Sequence, residues 1–186
     1  MALKHKQLLV VSTGIALQAA VMVLLNAYVP KACHGMDMMW IAFQAWAMYF
    51  MAGCTPMNGV KVFLGYFSGI VASIAIIMLM GVPGIKDLPT VGGMNLVMAV
   101  AVFIIVIPAI MTENLKNFVP GLFVGSGAFF ATLGSQALAG ALPESACQNT
   151  TFLYATQTEL VYCIFGLVFG WITVTARGKY EASLVK

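Results

Sequence analysis

Residues 60–82 read VKVFLGYFSGIVASIAIIMLMGV, and this stretch decides the class of fold. It carries no charge beyond Lys61 at its edge, and its length is close to the ~20 apolar residues that a bilayer-spanning helix needs. Five further apolar runs lie at about 8–29, 38–54, 91–111, 118–141 and 160–176. The expected architecture is an all-α membrane protein with six transmembrane helices, folded as a single domain over residues 1–186. With 61% hydrophobic and 8% charged residues and a mean hydropathy of +0.96, the chain lacks the charge to cover a water-soluble globule, so lipid is its solvent.

The segments between the runs carry helix breakers: Pro30, Thr55-Pro56-Met57-Asn58-Gly59, Val82-Pro83-Gly84, the stretch from Asn114 to Pro120, and Pro143. The short connections at 55–59 and 112–117 predict that runs 2 and 3, and runs 4 and 5, form antiparallel neighbouring pairs. The polar stretch 142–159 reads as a loop. Pro108 is expected to bend the end of run 4 by freeing the carbonyl of Ile104.

Six crossings put both termini on one side. With the amino end inside, Lys4, Lys6, Lys61, Lys116, Arg177, Lys179 and Lys186 are cytoplasmic and only Lys31 and Lys86 face out, as the positive-inside bias requires. The formal charge of +3 comes largely from that excess, and nucleic-acid binding is not indicated. The start resembles a secretory signal, but its apolar stretch exceeds the ~7–15 residues of a signal core, so an uncleaved first helix is expected. The expected location is a bacterial inner membrane. There Cys33 and Cys147 lie in outer loops exposed to an oxidising compartment and are candidates for a disulfide. Cys54 and Cys163 read as small apolar packing residues.

Three runs carry glycines four residues apart: Gly65 and Gly69, Gly121 and Gly125, Gly166 and Gly170. In lipid no hydrophobic force drives helices together, so close approach at small residues is a main source of association. Runs 3, 5 and 6 are the expected inner layer. The likeness of Leu64-Gly65-Tyr66-Phe67-Ser68-Gly69 to Phe165-Gly166-Leu167-Val168-Phe169-Gly170 raises a three-plus-three repeat, which an odd number of crossings would make inverted.

No charged residue sits near the centre of any expected span, and Glu113 and Glu159 fall at helix ends open to water. Coupled ion transport and embedded acid/base catalysis lose weight accordingly. Cys33, His34 and Asp37 offer metal-ligand types in one short loop, but without a second cluster they read as a solvated turn. No metal, cofactor or catalytic residue is expected. The polar groups within the bilayer are neutral. Gly121, Gly125, Ala128, Thr132, Ser135, Gln136 and Ala139 share one face of run 5. Gly14, Gln18 and Asn26 form a ridge on run 1, while Tyr162, Gly166, Gly170 and Thr173 lie close together on run 6. Such faces suit either a small solute shedding water or hydrogen bonds between helices. Packing is favoured for runs 1 and 6, and run 5 is balanced between the two. Trp46, mid-span among Trp40, Phe43, Tyr49 and Phe50, suits an apolar constriction or, more often, packing.

The segment Trp40-Ile41-Ala42-Phe43-Gln44-Ala45-Trp46-Ala47, the Gly53 that follows, and the Gly65/Gly69 helix resemble the small bacterial inner-membrane proteins of the YcdZ type. The resemblance implies a polytopic protein of unassigned function and transfers no site residue. The tail is longer here.

The resulting expectation is a passive channel or facilitator for a small neutral or weakly polar metabolite, with Thr132, Ser135, Gln136, Gln18, Asn26 and Trp46 as candidate lining. The competing reading is a membrane scaffold or accessory subunit; an enzyme is not expected. Membrane lipid, a small neutral solute and a second copy of the chain are the candidate partners.

Overall fold

A computed structural model describes residues 5–28, 38–91, 94–115, 118–135 and 147–184. Six α-helices occur among them: α1 (His5–Leu25, continued by a 3-10 turn Asn26–Tyr28), α2 (Met39–Met51), α3 (Pro56–Met80), α4 (Leu96–Met111, with a 3-10 turn Thr112–Leu115), α5 (Val119–Leu133) and α6 (Gln148–Ser183). Before α4, Thr90–Val91 pairs with Met94–Asn95 in a minimal antiparallel ladder.

Local chemistry sets these boundaries. Thr55 caps α3, its hydroxyl accepting from the Asn58 N–H at 3.2 Å, and Pro56 supplies the preset φ of a first helical position. Asn95 caps α4 by accepting from the Met98 N–H at 3.1 Å. Gly53 (φ +99°) and Cys54 (φ +61°) take left-handed conformations that reverse the chain between α2 and α3.

Three helical stretches are long and apolar enough to cross a membrane: His5–Tyr28, Pro56–Met80 and Gln148–Ser183. α4 and α5 are shorter apolar helices, and α2 has 13 residues, about 20 Å at the α-helical rise. Part of the expected run 5, from residue 136, lies outside the described residues.

α6 corrects the sequence reading most. Its expected start at 160 moves back to Gln148, so the segment 148–159, read as a loop, is helix. Hydropathy missed it because Asn149, Thr150, Thr151, Thr156, Gln157 and Thr158 are polar, although none of them breaks a helix.

The helix partners also differ from the expected hairpins. The two most extensive contacts are α3 with α5 and α2 with α6, whereas α2 touches α3 only lightly and α4 packs mainly on α3. Both main pairs run parallel. Gly65 lies against Phe118 and Gly121 and Gly69 against Leu122 and Ser126, while Gly166 lies against Ala42 and Gly170 against Tyr49. Small residues let these backbones approach, and that outweighs a short loop in choosing neighbours. A methyl placed on Gly65 would stand 2.7 Å from the Phe118 carbonyl oxygen, and one on Gly125 2.6 Å from the Tyr66 Cα. The buried interior is thus built from α3, α5 and α6 together with α2, which contributes Ile41, Ala42, Ala45, Trp46 and Tyr49. α1 and α4 are peripheral, with Met22 and Ala101 as their buried residues.

Candidate functional site

On the buried face of α6, Phe152, Ala155, Glu159, Tyr162, Cys163, Gly166 and Gly170 recur at helical spacing. Glu159 is 0% exposed, and neither carboxylate oxygen has a hydrogen-bond partner. It lies eleven residues into α6, about 17 Å from the helix start. The reading of Glu159 as a water-reached helix end is therefore corrected: once Gln148–Thr158 is helical, the residue moves into the bundle and rotates onto the glycine face.

Tyr66 comes from α3, ten residues past Pro56. It is also fully buried with an unpartnered hydroxyl, and it lies within electrostatic reach of both Glu159 and Cys163. Cys163 is 0% exposed and sits one turn along α6 from Glu159, on a shared face because residues four apart are helical neighbours. It lies fifteen residues past Gln148, well inside α6. Two turns before Glu159 along α6, the Phe152 ring packs on Phe129 of α5 at 6.0 Å. Among the described residues the one ion pair is the exposed Arg177–Glu181 contact, 2.7 Å, near the other end of α6.

The other candidates are dispersed. Gln18 of α1 accepts a hydrogen bond from Thr173 at 2.5 Å, and Asn26 accepts from Tyr162 at 2.6 Å, so the polar ridges of α1 and α6 bond to each other. Beside them, crevices of about 190 and 470 Å³ share Ile15, Thr173 and Arg177, the larger reaching Phe50, Cys54 and Glu181. On α5, Gly121 and Gly125 meet α3. Thr132 is buried with an unpartnered hydroxyl, and the Ser135 hydroxyl donates to the Thr132 carbonyl at 2.7 Å. Trp46 is 5% exposed and sits among Phe43, Phe50 and Phe169 at ring distances of 6.1–6.3 Å; its indole N–H has no partner.

Gln136, Cys33, His34 and Asp37 lie outside the described residues. Cys147, exposed just before α6, has its sulfur 3.1 Å from the Thr150 hydroxyl. Hydrogen bonds from the Thr150 hydroxyl and backbone hold this thiol below its ordinary range.

Sequence reasoning missed Glu159, Tyr66 and Cys163 as a group. The signal was present: the Ala155, Glu159, Tyr162, Cys163, Gly166 spacing continues the glycine face backwards through the polar segment. No curated protein and no solved structure matches the chain. The family model for DUF1097, described as proteins of unknown function, matches residues 12–178, a span holding both glycine crossings and the Glu159 group, and the chain belongs to that family.

Proposed function

We propose that the chain is a six-span protein of the bacterial inner membrane with both termini in the cytoplasm, and a channel or facilitator for a small neutral or weakly polar metabolite whose transport depends on Glu159. The observation that carries this reading is the fully buried, unpartnered carboxyl inside a helix long and apolar enough to cross the membrane. An ionisable group at such a place is costly and points to a pathway or site before it points to packing. Tyr66 adds a second unpartnered group, and Thr150, Thr151 and Thr158 make the outer part of α6 hydrogen-bonding.

An inverted three-plus-three repeat fits the same picture. Exchanging α2 with α5 and α3 with α6 turns one glycine crossing into the other, so that Gly65 against Phe118 and Gly121 corresponds to Gly166 against Ala42 and Ala45. Solute sites in such folds lie at the interface of the repeats. The scaffold reading draws support from Gln18–Thr173, Asn26–Tyr162 and Ser73–Ser126, where neutral polar groups are spent on joining helices.

Flux of a panel of small neutral solutes into sealed vesicles holding the purified protein tests the function. Uptake above that of protein-free vesicles, reduced in Glu159→Gln, is expected; a flat panel with intact protein would favour the scaffold. Orientation is checked at Cys147, which an impermeant thiol reagent is expected to reach from outside after reduction. Because the Thr150 hydrogen bonds favour the thiolate, labelling should set in at lower pH than for an ordinary thiol, and Thr150→Val should move that onset up. Peptide mass spectrometry without reduction tests the Cys33–Cys147 disulfide; two free thiols would exclude it.

A further inference from the structure

Glu159 lacks any neutralising partner from the helices packed around it. α6 itself offers Cys163 and Tyr162, the latter committed to Asn26. α3 offers Tyr66, while α5 (Val119–Leu133) contains no titratable side chain. α1 contributes Gln18 and Asn26 to its contact with α6, its His5 and Lys6 being at the far end of the helix. The titratable group of α2, Tyr49, sits against Gly59 and Gly170, eleven residues along α6 from Glu159. The remaining cations of these helices, Lys61 of α3 and Arg177 and Lys179 of α6, lie five residues from Tyr66 and eighteen or more from Glu159, and no ion pair among the described residues involves Glu159. An unpaired charge buried in this way costs several kcal/mol even after relaxation, and none of the described residues neutralises it.

The surroundings select among the cations that could do so. Metal ions need several ligands, and the described residues contain no group of three His, Cys, Asp or Glu able to hold one. An organic cation needs room. Glu159 is 0% exposed, and it does not line the crevices bordered by Gln18, by Tyr49 and Gly59, or by Phe50 and Cys54. A proton needs no cavity and a single oxygen.

We propose that Glu159 is a proton-binding site whose loading and unloading couples solute movement to the pH difference across the membrane, a role that rests on the transport reading above and replaces a passive facilitator with a proton-coupled carrier. The step is a simple exchange in which the carboxylate takes one proton from the acidic side to become the acid and returns it on the other side. Tyr66 serves as a positioning residue, its O–H available to the carboxylate when the proton has left.

Two measurements on the full-length protein in vesicles test this. The first is infrared spectroscopy as a function of pH, in the wild type and Glu159→Gln. A carboxylic-acid carbonyl band that titrates and is absent from Glu159→Gln is expected, with its titration displaced in Tyr66→Phe. A band that never responds to pH, or one that survives the substitution, overturns the proton site. The second is uptake from the solute panel with and without an acid-outside gradient. For one proton per solute, one pH unit supports up to about tenfold accumulation, which Glu159→Gln should lose and Glu159→Asp retain. Uptake indifferent to the gradient overturns the coupling while the transport reading stands. Absence of uptake for every solute overturns the transport reading and the coupling with it, even if the band titrates. Should Glu159→Gln fail to assemble, Glu159→Asp and the wild-type titration still decide, because a structural carboxyl would show neither pH response nor gradient dependence.

Discussion

α1 and α3 have the same peak hydropathy, 2.3, and nearly the same span length, 24 and 25 residues, yet 6% of the α1 window is buried within the protein against 44% of that of α3. Both therefore suit lipid equally, and something other than hydrophobicity decides which becomes the interior. Glycine placement makes the difference. A methyl on Gly14 of α1 would meet nothing within 4 Å, whereas one on Gly69 of α3 would run into the Leu122 carbonyl oxygen and stand 2.5 Å from the Ser126 N. α1 is instead held to α6 by the two side-chain hydrogen bonds of Gln18 and Asn26. One helix is packed by its backbone and the other is tied on by its side chains.

That contrast breaks most readily at Gly69. Gly69→Leu is expected to separate α3 from α5 at a cost above about 3 kcal/mol, read as loss of the monodisperse detergent-solubilised species. A well-assembled variant would show that the α3–α5 crossing does not need the glycine. Next comes Asn26→Leu with Gln18→Leu, which should loosen α1 by about 0.6 kcal/mol per bond. Earlier proteolysis at the α1 end with α3–α5 intact is the expected sign, and a collapse as complete as that of Gly69→Leu would erase the distinction. The smallest effect belongs to Gly14→Ala, which should change unfolding stability by less than about 1 kcal/mol.

The runs at 8–29 and 60–82 were legible because each is apolar throughout, and the structure places helix at 5–28 and 56–80. The glycine pairs were legible as contact points. Their partners were not, since the short turn after α2 suggested α3 as its mate and Gly166 and Gly170 claimed α2 instead. Gln148–Thr158 was misread because a hydropathy scan registers lipid exposure, while this stretch turns Phe152, Ala155 and Thr158 inward against protein. Glu159 was lost with it, since starting the helix at 160 left the carboxyl in water.

By itself, then, the sequence determined the solvent of this protein, the existence of its long apolar helices and the positions where backbones can touch. These properties reside in single segments and depend on side-chain transfer energies and on the absence of a Cβ. Only the tertiary structure decided that the main crossings join parallel, non-sequential helices and that Glu159 and Tyr66 come together without partners. The physical reason is that the energy of a carboxyl group depends on what surrounds it. Helices from different parts of the sequence supply those surroundings, and no local pattern records which of their faces will meet.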